Sequence, residues 1–381
     1  MQINQLIRNL LFSLYILYFG INIFKKGTII SVVCVLLIIL ISTIYLVRSI
    51  SLLDKNNHFF KAWTLLLIIN IIGFIFKPDL SESMSRNMFR SILVSNLSFY
   101  PFFYFAQKGE LNSKHLIAFF LLMIPVLIGQ YYSNMRDIIN TRNSNNADLV
   151  NNMAYPFVNL IPYIFLIKRR RLFTGALMII LMFFIIQSAK RGAIVVGSIG
   201  MLIYFYYNLV IIEKSRRVTD LLIIVFIISC LAVFTYKTLI NNEFAFNRMA
   251  SILEGNTSRR DIIYSRIFYE WYNSNNLLNL LFGFGFASSV EIAGNYAHND
   301  WLELLSNFGI VGILIYINLF FAAFKYSFFG KWSVDKRTLM FVITIMWLSK
   351  SSVSMSYTSL NEFLPAILLG YLVGSKVDSL E

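Results

Sequence analysis

Apolar stretches of membrane-spanning length follow one another along almost the whole chain, separated by short polar connectors. Read as helices, they predict about twelve spans. These fall near residues 6–24, 28–47, 62–76, 92–106, 115–132, 154–167, 172–187, 193–212, 221–240, 308–329, 338–355 and 359–374. Several are short against a hydrocarbon core of about 30 Å and would borrow flanking residues or lie partly inside the bundle. No repeat relates the two halves, which counts against a transporter built from inverted repeats. The expected fold is all-α: a polytopic membrane helix bundle forming one integral membrane domain over 1–381.

Two connectors are longer than a link needs to be, one at 133–153 and one at 241–307, between the ninth and tenth spans. A loop of more than about 15 residues in a compact protein is usually functional or disordered. The second contains helix-like segments, glycine turns and many aromatics, so a large, folded extracytoplasmic loop is expected there.

Composition fixes the solvent. Of the 381 residues, 57% are hydrophobic and 14% are charged, with a mean hydropathy of +0.67. Soluble proteins carry about 25% charged residues, so no soluble domain of normal size is expected. The excess of 33 Lys+Arg over 19 Asp+Glu would suggest nucleic acid in a soluble protein. In a membrane protein, basic cytoplasmic loops account for much of it, and no nucleic-acid partner is expected. Cys34 and Cys230 each lie inside an apolar run without metal-ligand spacing and read as small core residues. The apolar run after Arg8 lacks a small-x-small cleavage site and reads as a retained signal anchor.

The short basic connectors KRRR (168–171), EKSRRVTD (213–220) and GKWSVDKR (330–337) fall on one side when twelve spans are threaded. The positive-inside rule makes that side cytoplasmic, with both termini. Lys190, Arg191, Lys237, Arg248, Arg259, Arg260 and Arg266 then face outward against the rule. Lys190 and Arg191 occupy a very short turn between apolar runs, where ionisable residues are functional candidates. In NTSRRDIIYSRIFYEWY (256–272), Ser258 and Asp261 have capping-box spacing. Arg259 and Arg266, seven apart, share a helical face. A solvated face with Arg266 paired to Glu270 is the plainer reading of that segment. An anionic ligand at the outer surface is the other, since arginine's fork suits phosphate oxygens.

Gly283 and Gly285 in LLFGFGFASSV (280–290) permit a tight turn or a close backbone approach. Of the three histidines, His58 and His115 fall in or beside cytoplasmic loops, while His298 alone faces outward. It stands near the start of a helix running through HNDWLELLSNFG (298–309) into the membrane. Imidazole titrates near 6.5, which suits proton transfer. Capping the helix or anchoring it at the headgroups are the plainer roles. Asp300 and Glu303 would favour the helix macrodipole there, and with Asn299 they are candidates to support His298.

The stretch from Arg248 to about Ile317 resembles the shared core of the O-antigen ligase and polymerase superfamily of bacterial membrane enzymes. The ordered elements are Arg248, then Ser258-Arg259-Arg260 leading to Trp271, then Gly283-Phe284-Gly285. They continue with His298-Asn299-Asp300-Trp301-Leu302 and Gly309-Ile310-Val311-Gly312. Lys190-Arg191 is similar to the family's Ser/Thr-Arg turn. One departure is that no outward arginine is followed eleven residues on by glycine, a pattern of some polymerases.

The resemblance implies glycosyl transfer from a polyprenyl-pyrophosphate-linked oligosaccharide, with a second such lipid as acceptor and a chain-length regulator protein as a candidate partner. It implies His298 as base, and Arg191, Arg260, Arg259, Arg266, Arg248 and Lys190 as pyrophosphate contacts. The pyrophosphate linkage is already activated, so no cofactor or metal is expected. The implied location is the bacterial cytoplasmic membrane, with the active site facing the periplasm or exterior. Polymerisation of repeat units into O-antigen or capsular polysaccharide is the reading preferred. Ligation to lipid A core and a lipid-linked oligosaccharide flippase or transporter are the alternatives.

Overall fold

Backbone polar groups that lose water must pair within their own segment, and a helix is the open-ended way to do that in lipid. In the computed structural model, all regular structure among the described residues is helical. The structure describes residues 2–25, 27–52, 57–77, 82–142, 150–168, 170–211, 217–241 and 260–375. They fall into two compact units, one of Met1–Ile38 with Glu110–Gly255 and one of Ile39–Gly109 with Asn256–Glu381.

The first unit contains α1 (Gln2–Phe24), the start of α2 (Ile29–Ile50), α6 (Ser113–Arg142), α7 (Ala154–Ile164), α8 (Arg171–Gln187), α9 (Arg191–Tyr206) and α10 (Arg217–Asn241). Its centre is α7, in which every residue is buried. Aromatic side chains close around it, with Phe157 stacked on Phe184 at 4.9 Å and Tyr131 edge-on to Phe184 at 5.1 Å.

The second unit holds the remainder of α2 with α3 (His58–Ile75), α4 (Ser83–Leu97) and α5 (Phe99–Gln107). After them in the chain come α11 (Arg260–Tyr272), α12 (Leu277–Phe282), α13 (Ser288–Ala293), α14 (Asp300–Phe329), α15 (Val334–Val353) and α16 (Phe363–Gly374). The span expected at 92–106 is two helices broken at Ser98. Pro101 has no N–H for the Leu97 carbonyl, and its ring crowds that turn. α16 is buried along nearly its whole length. Gly370 and Gly374, four apart, let its backbone lie against the carbonyls of Phe99 and Phe103 on α5, the small-xxx-small packing of membrane helices.

Six helices among the described residues are long and apolar enough to cross a bilayer, within Ile3–Phe24, Ile29–Ile50, His58–Ile75, Ser113–Asn140, Arg191–Val210 and Asp300–Phe329. Arg171–Gln187, Ile224–Lys237 and Leu360–Gly374 are shorter apolar helices. The fold fits a multi-pass membrane protein.

Candidate functional site

The second unit builds its polar end around the start of α14. Asn299 caps the helix, its side-chain carbonyl accepting from the backbone N–H groups of Trp301 at 2.9 Å and Leu302 at 3.3 Å. Its amide donates to the Ser352 carbonyl at 3.1 Å, so the Asn299 side chain serves the cap and the end of α15. His298, directly before the cap, holds a left-handed backbone with φ +53°. Histidine tolerates that region better than most residues, yet it is sparsely populated and persists where surrounding contacts impose it.

One such contact comes from Glu303, while Asp300 ties α14 to the segment after α15. Asp300 and Glu303 are fully buried. Glu303 accepts from the Ala297 backbone N–H at 2.8 Å and the Ser289 hydroxyl at 2.6 Å, pinning the chain just before His298. Asp300 accepts from the backbone N–H groups of Ser356 at 2.8 Å and Tyr357 at 3.3 Å, and from the Tyr316 hydroxyl at 2.7 Å. It thereby fastens the segment after α15 to α14. Both acids sit in the first turn of α14, as the macrodipole favours, and their hydrogen bonds go to the scaffold, before His298 for Glu303 and after α15 for Asp300.

α11 lies across this corner. At its first residue, Arg260 donates to the Val353 carbonyl at 2.6 Å, next to the Ser352 carbonyl that takes Asn299. One turn on, the Tyr264 hydroxyl donates to the His298 carbonyl at 3.4 Å. Consecutive carbonyls at the end of α15 therefore hold the Arg260 guanidinium beside the His298 segment. At the far end of α11, the Trp271 indole donates to the Leu280 carbonyl of α12 at 3.2 Å.

The glycines of the same stretch lock α12 onto α14. Gly309 breaks α14 with φ +60° and ψ −150°, which frees the Ser306 carbonyl to accept from the Phe284 N–H at 2.7 Å. A side chain on Gly309 would meet the Leu280 carbonyl oxygen at 2.6 Å. One on Gly283, itself at φ +74°, would meet the Asn307–Phe308 peptide at 2.5 Å. The Gly-x-Gly turn at 283–285 is thus a packing joint at its first glycine. At Gly285, with φ +101°, the added carbon would meet open space.

Charged and phenolic groups not singled out in the sequence complete the corner. Buried Lys77 donates to the Phe286 carbonyl at 3.1 Å and pairs with Glu291 at 2.7 Å and Glu82 at 3.4 Å. The Tyr296 hydroxyl donates to the Met84 carbonyl at 2.8 Å. Burial, with help from Glu303 and Glu82, pushes its phenol up to about 12. Deeper in the same unit, Lys350 and Glu362 form a buried ion pair next to Trp347, whose indole N–H is buried and has no hydrogen-bond partner among the described residues. Ionisable residues inside apolar runs are the signal that could have found Lys350 and Glu362.

Among the expected phosphate contacts, Arg260 is placed as above and Arg266 is exposed on α11. No ion pair joins Arg266 to Glu270 among the described residues. Arg248 and Arg259 lie outside the described residues. Lys190 and Arg191 belong to the first unit, at the start of α9. Lys190 donates to the Asn152 side chain at 2.8 Å and lies over the Tyr155 ring at 5.8 Å. No group of three or more His, Cys, Asp or Glu that could hold a metal ion occurs among the described residues. No family model matches the chain, and no curated protein matches it either.

Proposed function

We propose that the protein polymerises polyprenyl-pyrophosphate-linked oligosaccharide repeat units into O-antigen or capsular polysaccharide at the outer face of the bacterial cytoplasmic membrane. The reading takes twelve spans with both termini cytoplasmic and the 241–307 segment outside. The observation that carries it is His298 in an imposed left-handed conformation, with the Arg260 guanidinium fixed beside its segment on the end of α15.

In this reading the acceptor sugar hydroxyl gives its proton to the His298 imidazole. The hydroxyl oxygen forms a bond to the donor's anomeric carbon as the bond from that carbon to the pyrophosphate oxygen breaks. The electron pair leaves with polyprenyl pyrophosphate, and Arg260 offsets the charge that builds there. Arg266 and Arg259 are the further phosphate contacts of the proposal. Base catalysis of this kind contributes roughly 10²–10⁴-fold.

The test is deletion of the gene followed by electrophoresis of the surface glycan. Loss of a polymerase leaves core bearing a single repeat. Bare core with accumulated lipid-linked polymer would point to ligation, and repeats held on the cytoplasmic leaflet to a flippase; either overturns the reading. At residue level, His298→Gly is more informative than His298→Ala, because glycine accepts φ +53° without strain. His298→Gly should abolish chain growth with normal protein in the membrane, and growth that survives it removes the base. Arg260→Lys should also be damaging, since charge alone does not replace the fork.

A further inference from the structure

Residues 300–308 of α14 carry no exposed side chain. From Ile310 onward exposed apolar side chains recur, at Ile310, Leu314, Ile317 and Phe321. The twenty residues 310–329 rise about 30 Å, the thickness of the hydrocarbon core. If α14 crosses the bilayer, the edge of the hydrocarbon falls at Gly309. That is the residue onto which α12 is locked, with Leu280 and Leu281 against its backbone. The joint therefore fixes the depth of α12, and of the end of α11 tied to it through Trp271, at the boundary layer.

The side chains presented there have the character that layer selects. Phe268, Tyr272, Leu277, Leu278 and Phe282 are each 50–67% exposed. Phe268 and Tyr272, one turn apart, stack at 5.9 Å. At about 100° per residue, Arg266 and Glu270 point to the opposite side of α11. Aromatic and leucine side chains on one face, with charge on the other, are the composition of segments that lie in the plane of a membrane surface.

We propose that residues 268–282 are seated in the interfacial layer of the bilayer, with these five side chains among phospholipid headgroups and the upper acyl chains. A phospholipid surface is the occupant because the patch meets the exposed face of α14 at the Gly283–Gly309 joint, so the lipid around 310–329 continues onto it. The inference needs α14 to cross the bilayer and is independent of glycosyl transfer.

The test uses the full-length chain with Cys34 and Cys230 replaced by alanine, in vesicles of phosphatidylcholine and phosphatidylglycerol. Single cysteines at Tyr272, Leu278 and Glu270 carry an environment-sensitive fluorophore, and Ile317→Cys reports whether α14 lies in lipid. A nitroxide lipid labelled near the headgroup should quench the labels at 272 and 278 several-fold more than the label at 270, with the order reversed for iodide. Iodide access at 272 and 278 equal to that at 270 would place the patch in water and overturn the proposal. Shielding from both quenchers would assign it to a second copy or another protein, and would overturn it equally. Failure of a second lipid, with its nitroxide on the acyl chain, to quench the label at 317 overturns the proposal by removing its premise.

Discussion

The joint between α12 and α14 gives the sharpest test of the fold, through Gly309→Ala. Two penalties combine at that position. An L-residue held at φ +60°, ψ −150° carries about 1–3 kcal/mol of strain. Its Cβ would also sit 2.6 Å from the Leu280 oxygen and the Leu281 carbonyl carbon and 2.7 Å from the Gly283 nitrogen. These are backbone atoms that cannot rotate away, so overpacking adds about 1–3 kcal/mol. The sum is roughly 2–6 kcal/mol, which corresponds to a fall of about 5–15 °C in Tm for a unit of about 200 residues, the size of the one that holds Gly309. Two other glycines separate the contributions. Gly285→Ala keeps a positive φ of +101° but meets open space, so it carries strain alone. Gly20→Ala lies within α1 with nothing near its added carbon and should be neutral or stabilising by up to about 1 kcal/mol. Thermal unfolding of detergent-solubilised protein should order the variants as Gly20, then Gly285, then Gly309. If Gly309→Ala melts with Gly20→Ala, α14 is not kinked there and the depth argument for α12 fails with it.

Removing one member of the Lys350–Glu362 pair strands a buried charge and should destabilise by roughly 3–5 kcal/mol. Lys350→Met combined with Glu362→Leu should recover most of that loss in the same melting assay. Glu303→Gln turns one acceptor of a doubly accepting carboxylate into a donor facing the Ala297 N–H or the Ser289 hydroxyl. It should cost about 1–3 kcal/mol and lower the amount of folded protein in the membrane. For Tyr296, whose phenol is pushed up to about 12, the unfolded chain releases its proton near pH 10, before the folded one does. Its contribution is therefore intact below about pH 10 and lost as pH rises towards 12. Tyr296→Phe should flatten that part of the stability–pH curve relative to the parent.

The apolar runs foretold the helices because in lipid a continuous apolar segment has few other ways to satisfy its backbone. The sequence offered the cap to His298 and made Asn299 its support; the structure gives the cap to Asn299, whose side-chain carbonyl reaches the Trp301 and Leu302 N–H groups, a role its residue type favours ahead of an acid-rich first turn. The break at Ser98 was legible in principle, since Pro101 sits within the expected span. The partnership of Gly283 with Gly309 was not. The two are far apart in sequence, and only the folded joint shows that Gly283 is pressed on residues 306–308 and Gly309 on residues 280–283. The same holds for Asp300, whose partners at Ser356 and Tyr357 arrive from beyond α15. Arg260 stood out as an arginine expected on the outer side, but its seat on Val353 depends on where a distant helix ends.

A polar cluster opens a membrane helix here because different residues in it have different work. Asp300 and Glu303 have no exposed surface, and their hydrogen bonds go to the scaffold, Glu303 to Ala297 and Ser289 and Asp300 to Tyr316, Ser356 and Tyr357. Loss of activity in an Asp300 or Glu303 variant is therefore the expected result of a moved scaffold and carries no information about proton transfer. His298 differs in kind, because its backbone is held from outside by Glu303 on Ala297 and by Tyr264 on its own carbonyl. Its ring can be removed while glycine preserves the conformation. A pair of measurements then separates scaffold from chemistry. The acid variants should lose stability and activity together, whereas His298→Gly should lose activity with a smaller fall in melting temperature than either acid variant. If His298→Gly melts as early as they do, the imidazole is part of the packing, and the argument for a base at this corner fails.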